Sequence, residues 1–197
     1  MQKTLETAMR ERELAALSNV TIAVVLGTVT MTFGAMIVVF FVRSEGKLFW
    51  GHLQIPALLY LTTVLLLASS AALERARHQL LVDDQQRFFK FTAVAAVLGL
   101  LFLGGQVTAW FQILRSGIVL AQNPHSGFIF LFTGLHGLHI LLGLGGLVYL
   151  LLRTRHPAGG PKYRIKTRVA ANAISIFWHY LDFLWIVLFV LLLTWHR

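Results

Sequence analysis

Four ionisable side chains interrupt two long apolar segments in the C-terminal half of the chain. His136 and His139 lie in one segment, and His179 and Asp182 lie in the next. The members of each pair are three residues apart, which puts them on one face of a helix. Imidazole is a ligand for zinc, copper and haem iron, and a histidine beside an aspartate can hold or pass a proton. These four residues are therefore the candidates for chemistry.

The composition indicates the kind of protein that must position them. The 197-residue chain is 57% hydrophobic and 13% charged, whereas a soluble domain carries about 25% charged residues. Five stretches nearly free of charge each exceed the roughly 20 residues that cross a bilayer. We predict an all-α fold, a polytopic bundle of five transmembrane helices forming a single membrane domain over 1–197, with an N-terminal tail at 1–19 and helices at about 20–42, 53–73, 92–114, 127–152 and 172–194.

Local signals refine the ends of the second helix. Pro56 falls in its predicted first turn, where a missing N–H costs little. Glu74 and His78 have helical spacing beyond its predicted end. We therefore expect this helix to continue past residue 73 for a turn or more.

The basic residues predict the orientation in the membrane. Thirteen of the 17 Lys and Arg residues fall in 1–19, 74–90 and 153–168, which share one face when five helices cross the membrane. The positive-inside rule then places the N-terminus in the cytoplasm and the C-terminus outside. The net charge of +9 needs no nucleic-acid partner to explain it.

The connection before the fifth helix holds the densest group of positive charge. We expect such a group to contact anionic phospholipid headgroups, because each Lys or Arg near an anionic membrane surface contributes on the order of 1 kcal/mol to binding. A simple topology signal is the alternative interpretation. The candidates for headgroup contact are Arg153, Arg155, Lys162, Arg164, Lys166 and Arg168.

The intramembrane residues themselves favour packing over metal binding. A catalytic metal site usually needs three protein ligands, and a haem clamp would take one histidine from each of two facing helices. The chain has no cysteine, which excludes thiolate ligands. A rise of 1.5 Å per residue puts His139 about 20 Å and Asp182 about 15 Å from the cytoplasmic end, so we expect these two to touch. We predict a polar network of His136, His139, His179 and Asp182, with no catalytic, cofactor or metal residue; a free-standing haem-binding or metal-binding membrane protein is the alternative.

Three segments carry a family resemblance. Phe-Trp-His-Tyr-Leu-Asp-Phe-Leu-Trp at 177–185, Phe-Thr-Gly-Leu-His-Gly-Leu-His at 132–139 and Thr-Val-Leu-Leu-Leu-Ala-Ser-Ser at 63–70 together resemble subunit III of the haem-copper terminal oxidases. Gln106 and Trp110 match the ends of a family Gln-x-x-Glu-Trp motif. Five helices resemble the shorter bacterial form, found in cytochrome c and quinol oxidases.

The resemblance implies an accessory role in a respiratory complex of the bacterial inner membrane. Family members have no redox centre of their own. They pack against catalytic subunit I, which carries the haem and copper, in a complex that also contains subunit II. They bind phospholipids and support proton uptake and stability during turnover. A similar accessory protein of a nitric-oxide reductase is the alternative within this class.

Three positions depart from the family pattern. The family often has a buried carboxylate on the helix that corresponds to the first one here, but residues 28–33 contain no acid. Ala109 replaces the glutamate of the Gln-x-x-Glu-Trp motif, and Asn172 stands where a glutamate sometimes precedes the histidine of the last helix. A role in proton or lipid binding through those carboxylates is not expected for this chain.

Overall fold

The computed structural model describes residues 2–44, 57–115, 124–155 and 161–194. Within these ranges the regular structure is entirely α-helical. The five helices are α1 (Gln2–Ser44), α2 (Leu58–Leu81), α3 (Gln85–Arg115), α4 (Pro124–Thr154) and α5 (Pro161–Thr194). All five are long and apolar enough to cross a membrane. The predicted fold class is confirmed, and the chain is a multi-pass membrane protein.

The helices extend beyond the predicted apolar segments. α1 begins at Gln2 rather than at residue 20, so the charged tail is continuous with the first transmembrane helix. α2 ends at Leu81, which confirms its predicted continuation past residue 73. The start predicted for that helix, with Pro56, lies outside the described residues. α4 and α5 both begin at a proline, a residue suited to the first turn of a helix because that turn needs no intrahelical N–H donor.

Helices α2 to α5 form a closed ring of four neighbours. α2 packs along α3, α3 on α4, α4 on α5, and α5 returns to α2. α1 lies outside this ring, packing on α5 and, over a shorter length, on α4. In the ranges that the structure describes, α1 contacts neither α2 nor α3. The main apolar core therefore belongs to the ring.

A tight turn at Val82–Asp84 makes α2 and α3 antiparallel. Asp83 has a φ of 62°, in the left-handed region that aspartate tolerates better than most residues. The Asp84 carboxylate accepts a hydrogen bond of 2.9 Å from the backbone N–H of Arg87, as expected of an N-cap. Asp83 also pairs with Arg164 of α5. The turn thereby fixes this end of the ring.

The centre of the ring is filled by the indole of Trp178, which is fully buried. Its ring lies between two glycines on neighbouring helices. A Cβ placed on Gly99 of α3 would lie 2.8 Å from Trp178 Cη2, and one on Gly143 of α4 would lie 2.9 Å from its Cε3. The missing side chains at these two positions allow α3 and α4 to approach α5 closely.

α1 is attached to the ring by one seam of aromatic and apolar side chains. Its buried residues Val29, Phe33 and Phe40 pack with Phe132 of α4 and with Leu184 and Leu188 of α5. Thr30 of α1 and Tyr180 of α5 share a hydrogen bond of 2.7 Å. Most of the remaining α1 surface is exposed.

The glycines around Trp178 generate the first prediction. Gly99→Ala should lower the stability of the protein in detergent by about 1–3 kcal/mol, because the added methyl group overpacks the ring interior. Thermal unfolding followed by circular dichroism measures the change. Gly104→Ala on the same helix is the matched control, since a Cβ there meets no atom within 4 Å. Equal Tm values for the two variants would contradict the proposed close approach.

Candidate functional site

His179 connects α5 to α2 through both ring nitrogens. Its Nδ1 is hydrogen-bonded to the hydroxyl of Ser70, and its Nε2 lies 3.2 Å from Glu74 Oε2. Asp182, one turn further along α5, places Oδ2 4.0 Å from the same Nδ1. These four residues form a polar cluster between the two helices, which we call the His179 cluster.

Helical spacing explains why the cluster assembles. Ser70 and Glu74 are four residues apart on α2, and His179 and Asp182 are three apart on α5, so each pair shares a face. The ring packing brings these two faces together. Glu74 also lies 3.5 Å from Arg77. Ser70 and Glu74 were not predicted as site residues, although their spacing of four indicated that they share one face of α2.

Asp182 is the deepest member of the cluster. The residue is 5% exposed, and neither carboxylate oxygen accepts a hydrogen bond from the described part of the chain. The imidazole of His179, at 4.0 Å, is its ion-pair partner there. A charge inside a membrane is costly unless it is paired or hydrated, so the state of this carboxylate depends on its neighbours.

His136 lies in a separate environment in the ring interior. It is 1% exposed and stacks on Trp185 with ring centroids 5.2 Å apart. The edge of Phe102 approaches it at 6.2 Å. Neither ring nitrogen has a hydrogen-bond partner among the described residues. His136 therefore acts as an aromatic packing residue here.

His139 faces α1 and does not join Asp182. Its Nδ1 donates a hydrogen bond of 2.7 Å to the carbonyl oxygen of Leu135, and its ring meets the edge of Phe33 at 5.7 Å. The expected contact between His139 and Asp182 is not formed. The depth estimate placed the two residues at similar heights, but the direction in which each side chain points keeps them apart. The four predicted residues thus occupy three environments instead of one network.

The ring contains further hydrogen bonds between helices. The indole N–H of Trp185 donates to Thr63 at 3.0 Å, and the indole N–H of Trp110 donates to Thr133 at 3.0 Å. Gln106 Nε2 donates to Thr62 at 3.2 Å. Ala109, one turn from Gln106, is buried, so the missing family glutamate would have pointed into the interior.

The basic residues before and within α5 divide into two groups. Arg153 is partly exposed and has partners within the protein: it donates to Thr167 at 2.8 Å, and its guanidinium lies 4.4 Å from the centroid of the Tyr163 ring. Arg164 pairs with Asp83. Arg155 and Lys166 are exposed and Arg168 is partly exposed. The side chain of Lys162 lies outside the part of the chain that the structure describes.

The structure identifies no group of three or more His, Asp or Glu residues that could hold a metal ion within the described ranges. The His179 cluster contains only one imidazole, and the other two intramembrane histidines are separated from it. What the cluster offers chemically is proton binding and interhelical hydrogen bonding.

Comparison with known proteins decides the family. The family model for cytochrome c oxidase subunit III matches residues 50–197, which include α2 to α5 and every member of the His179 cluster. The chain belongs to the cytochrome c oxidase subunit III family. The predicted resemblance is thereby confirmed. All of α1 precedes the matched region.

Individual relatives agree with this assignment. Proteins named cytochrome c oxidase subunit 3 are 30% identical over 132 residues in Thermostichus vulcanus, 30% over 129 residues in a Synechocystis species and 30% over 145 residues in Corynebacterium diphtheriae. The aligned parts cover 67%, 66% and 71% of this chain and 63%, 53% and 65% of those proteins. The chain thus spans less than two thirds of the length of each relative.

The packing of His136 generates the second prediction. His136→Phe should leave the stability unchanged or raise it, by up to about 1–3 kcal/mol, because it removes a buried polar group without a partner and keeps a ring against Trp185. Thermal unfolding in detergent measures the effect. His139→Phe on the same helix is the control, with an expected change within about 0.5 kcal/mol. A large loss of stability in His136→Phe alone would show that its ring nitrogens have an essential partner.

Proposed function

We propose that this chain is an accessory, non-catalytic subunit of a respiratory haem-copper oxidase. It packs against catalytic subunit I, in a complex with subunit II, and it supports stability and proton uptake while subunit I reduces oxygen. Haem and copper belong to subunit I, and this chain supplies neither. The observation that carries the proposal is the family match across α2 to α5.

The arrangement of side chains supports this role. The intramembrane histidines take part in packing and hydrogen bonding: His136 stacks on Trp185, His139 donates to a carbonyl oxygen of its own helix, and His179 joins α5 to α2. α1 keeps a long apolar surface free of contact with the ring. A helix of this kind suits a chain that shares the membrane with lipid and with another subunit.

Phospholipid binding is the second part of the proposal. Arg155, Lys166 and Arg168 are at least partly exposed, so they are available to anionic headgroups. Arg153 and Arg164 already have partners within the protein. We therefore assign headgroup contact to the first three residues, and a structural role to Arg153 and Arg164.

The proposed location is a bacterial inner membrane, with the N-terminus in the cytoplasm and the C-terminus outside. Because the chain has no cysteine, single cysteines report the topology cleanly. A membrane-impermeant maleimide added to intact spheroplasts should label Ser116→Cys and leave Arg155→Cys unlabelled until the membrane is opened. The reverse pattern would contradict the orientation.

Copurification tests the accessory role. A tagged chain extracted in mild detergent should bring with it a larger multi-span subunit that accounts for the haem absorbance. A nitric-oxide reductase as the copurifying enzyme would assign the chain to that complex instead. A chain that migrates alone, or that binds haem stoichiometrically by itself, would contradict the proposal.

Deletion gives the matching functional prediction. Membranes without this chain should keep the haem spectrum of subunit I, while oxygen consumption decays several-fold faster during sustained turnover, because a stabilising subunit is lost. Oxygen-electrode traces normalised to haem content measure this decay. Identical decay with and without the chain would exclude a role in turnover stability.

A further inference from the structure

The exposure of the side chains in the His179 cluster falls in three steps. The side chain of Glu74 is more than half exposed, that of His179 is partly exposed, and that of Asp182 is buried. Glu74 Oε2 and His179 Nε2 are 3.2 Å apart, and His179 Nδ1 and Asp182 Oδ2 are 4.0 Å apart. A single imidazole therefore stands between an exposed carboxylate and a buried one.

Counting protons shows that this arrangement is incomplete with a neutral histidine. If Nε2–H donates to Glu74, then Nδ1 carries no proton and accepts from the hydroxyl of Ser70. In the other tautomer the Ser70 hydroxyl can turn to Asp182, but the unprotonated Nε2 then faces the Glu74 carboxylate at 3.2 Å. In the first tautomer Ser70 donates to His179, which leaves Asp182 as an anion with no hydrogen-bond donor among the described residues. An uncompensated carboxylate in an apolar interior is far too costly to persist.

One added proton removes this cost in either of two positions. On Asp182 it gives a neutral carboxylic acid. On His179 Nδ1 it gives an imidazolium flanked by two carboxylates. The two states differ only by a proton transfer between neighbouring groups, so they titrate as one coupled site.

We propose that Glu74, His179 and Asp182 form a site that binds one proton. The proton enters from water at Glu74, passes through the imidazole and stops at Asp182. The proposal concerns this chain alone and does not depend on its assembly into an oxidase.

The charged groups around the site are few. On α2, the guanidinium of Arg77 lies 3.5 Å from the Glu74 carboxylate and partly offsets its negative charge. On α5, Tyr180 next to His179 is directed to Thr30 of α1. On α4, His139 is bonded to Leu135 and His136 is stacked on Trp185. Within the described ranges Asp182 has no ion-pair partner except His179.

Proton counting tests the proposal. The protein is purified from its membrane with any bound subunits, and proton uptake is measured between about pH 9 and about pH 6. Infrared spectra of the same samples report the carbonyl stretch of a protonated carboxyl group. Wild type is compared with Asp182→Asn, and Glu13→Gln on α1 is the control for loss of an exposed carboxylate.

Compared with wild type, Asp182→Asn should take up one proton fewer, or lack the infrared band of a carboxylic acid, or show both changes. Glu13→Gln should match wild type in both measurements. Uptake without the band at either pH places the added proton on His179, and a band already present at about pH 9 places it on Asp182 throughout; both agree with the proposal. Equal uptake in wild type and Asp182→Asn, with no acid band in either, would overturn it.

Two more variants keep the test decisive if Asp182→Asn folds poorly. His179→Gln leaves Asp182 as the remaining proton acceptor, so the acid band must be present in this variant. Its absence would overturn the site. Glu74→Gln should slow deuterium exchange of the buried proton by about tenfold or more, since it removes a positioned proton carrier. Unchanged exchange would overturn entry through Glu74.

Discussion

Lipid offers no hydrogen bonds, and this constraint determines where the polar side chains of the chain lie. Within the helices, backbone N–H and C=O groups bond to each other, so a polar side chain in the membrane gains from a partner on a neighbouring helix. Trp185 finds Thr63, Trp110 finds Thr133 and His179 finds Ser70. Because each bond joins two helices at a defined height, together they fix how the helices sit against each other.

Close packing makes those bonds possible. The buried indole of Trp178 sits where Gly99 and Gly143 carry no side chain. A larger residue at either position would push α3 or α4 away from α5. Small residues and interhelical hydrogen bonds therefore act together: the first allow the helices to approach, and the second select one register among those that close packing would permit.

The sequence predicted the number and type of helices well, because long charge-free stretches have few alternatives. Helix ends were less predictable. The charged segments 2–19 and 74–81 are helical beyond the apolar part of the chain. Hydropathy reports neither extension, and the spacing of Glu74 and His78 predicted only the second. The shared face of His179 and Asp182 followed from spacing, and the structure brings the two within 4.0 Å.

Partners across helices could not be predicted in the same way. Spacing gives the height of a residue and its neighbours on one helix, but not the rotation of that helix against the next. His136 and His139 illustrate this limit: the rotation between positions three apart is enough to turn one ring toward Trp185 and the other toward Phe33. The contact of Glu74 with His179 depends on which face of α2 packs against α5, and the sequence alone does not predict that face.

The position of α1 outside the ring has a consequence for biogenesis. α1 is synthesised before α2 and α3, yet the helices it contacts, α4 and α5, follow those two. Its docking seam at Val29, Phe33 and Phe40 therefore lacks its α4 and α5 side until those two helices have been synthesised. During that interval α1 must wait in the bilayer beside the insertion machinery or other helices, and its attachment is a late, long-range step. Errors in assembly should accordingly begin with this helix.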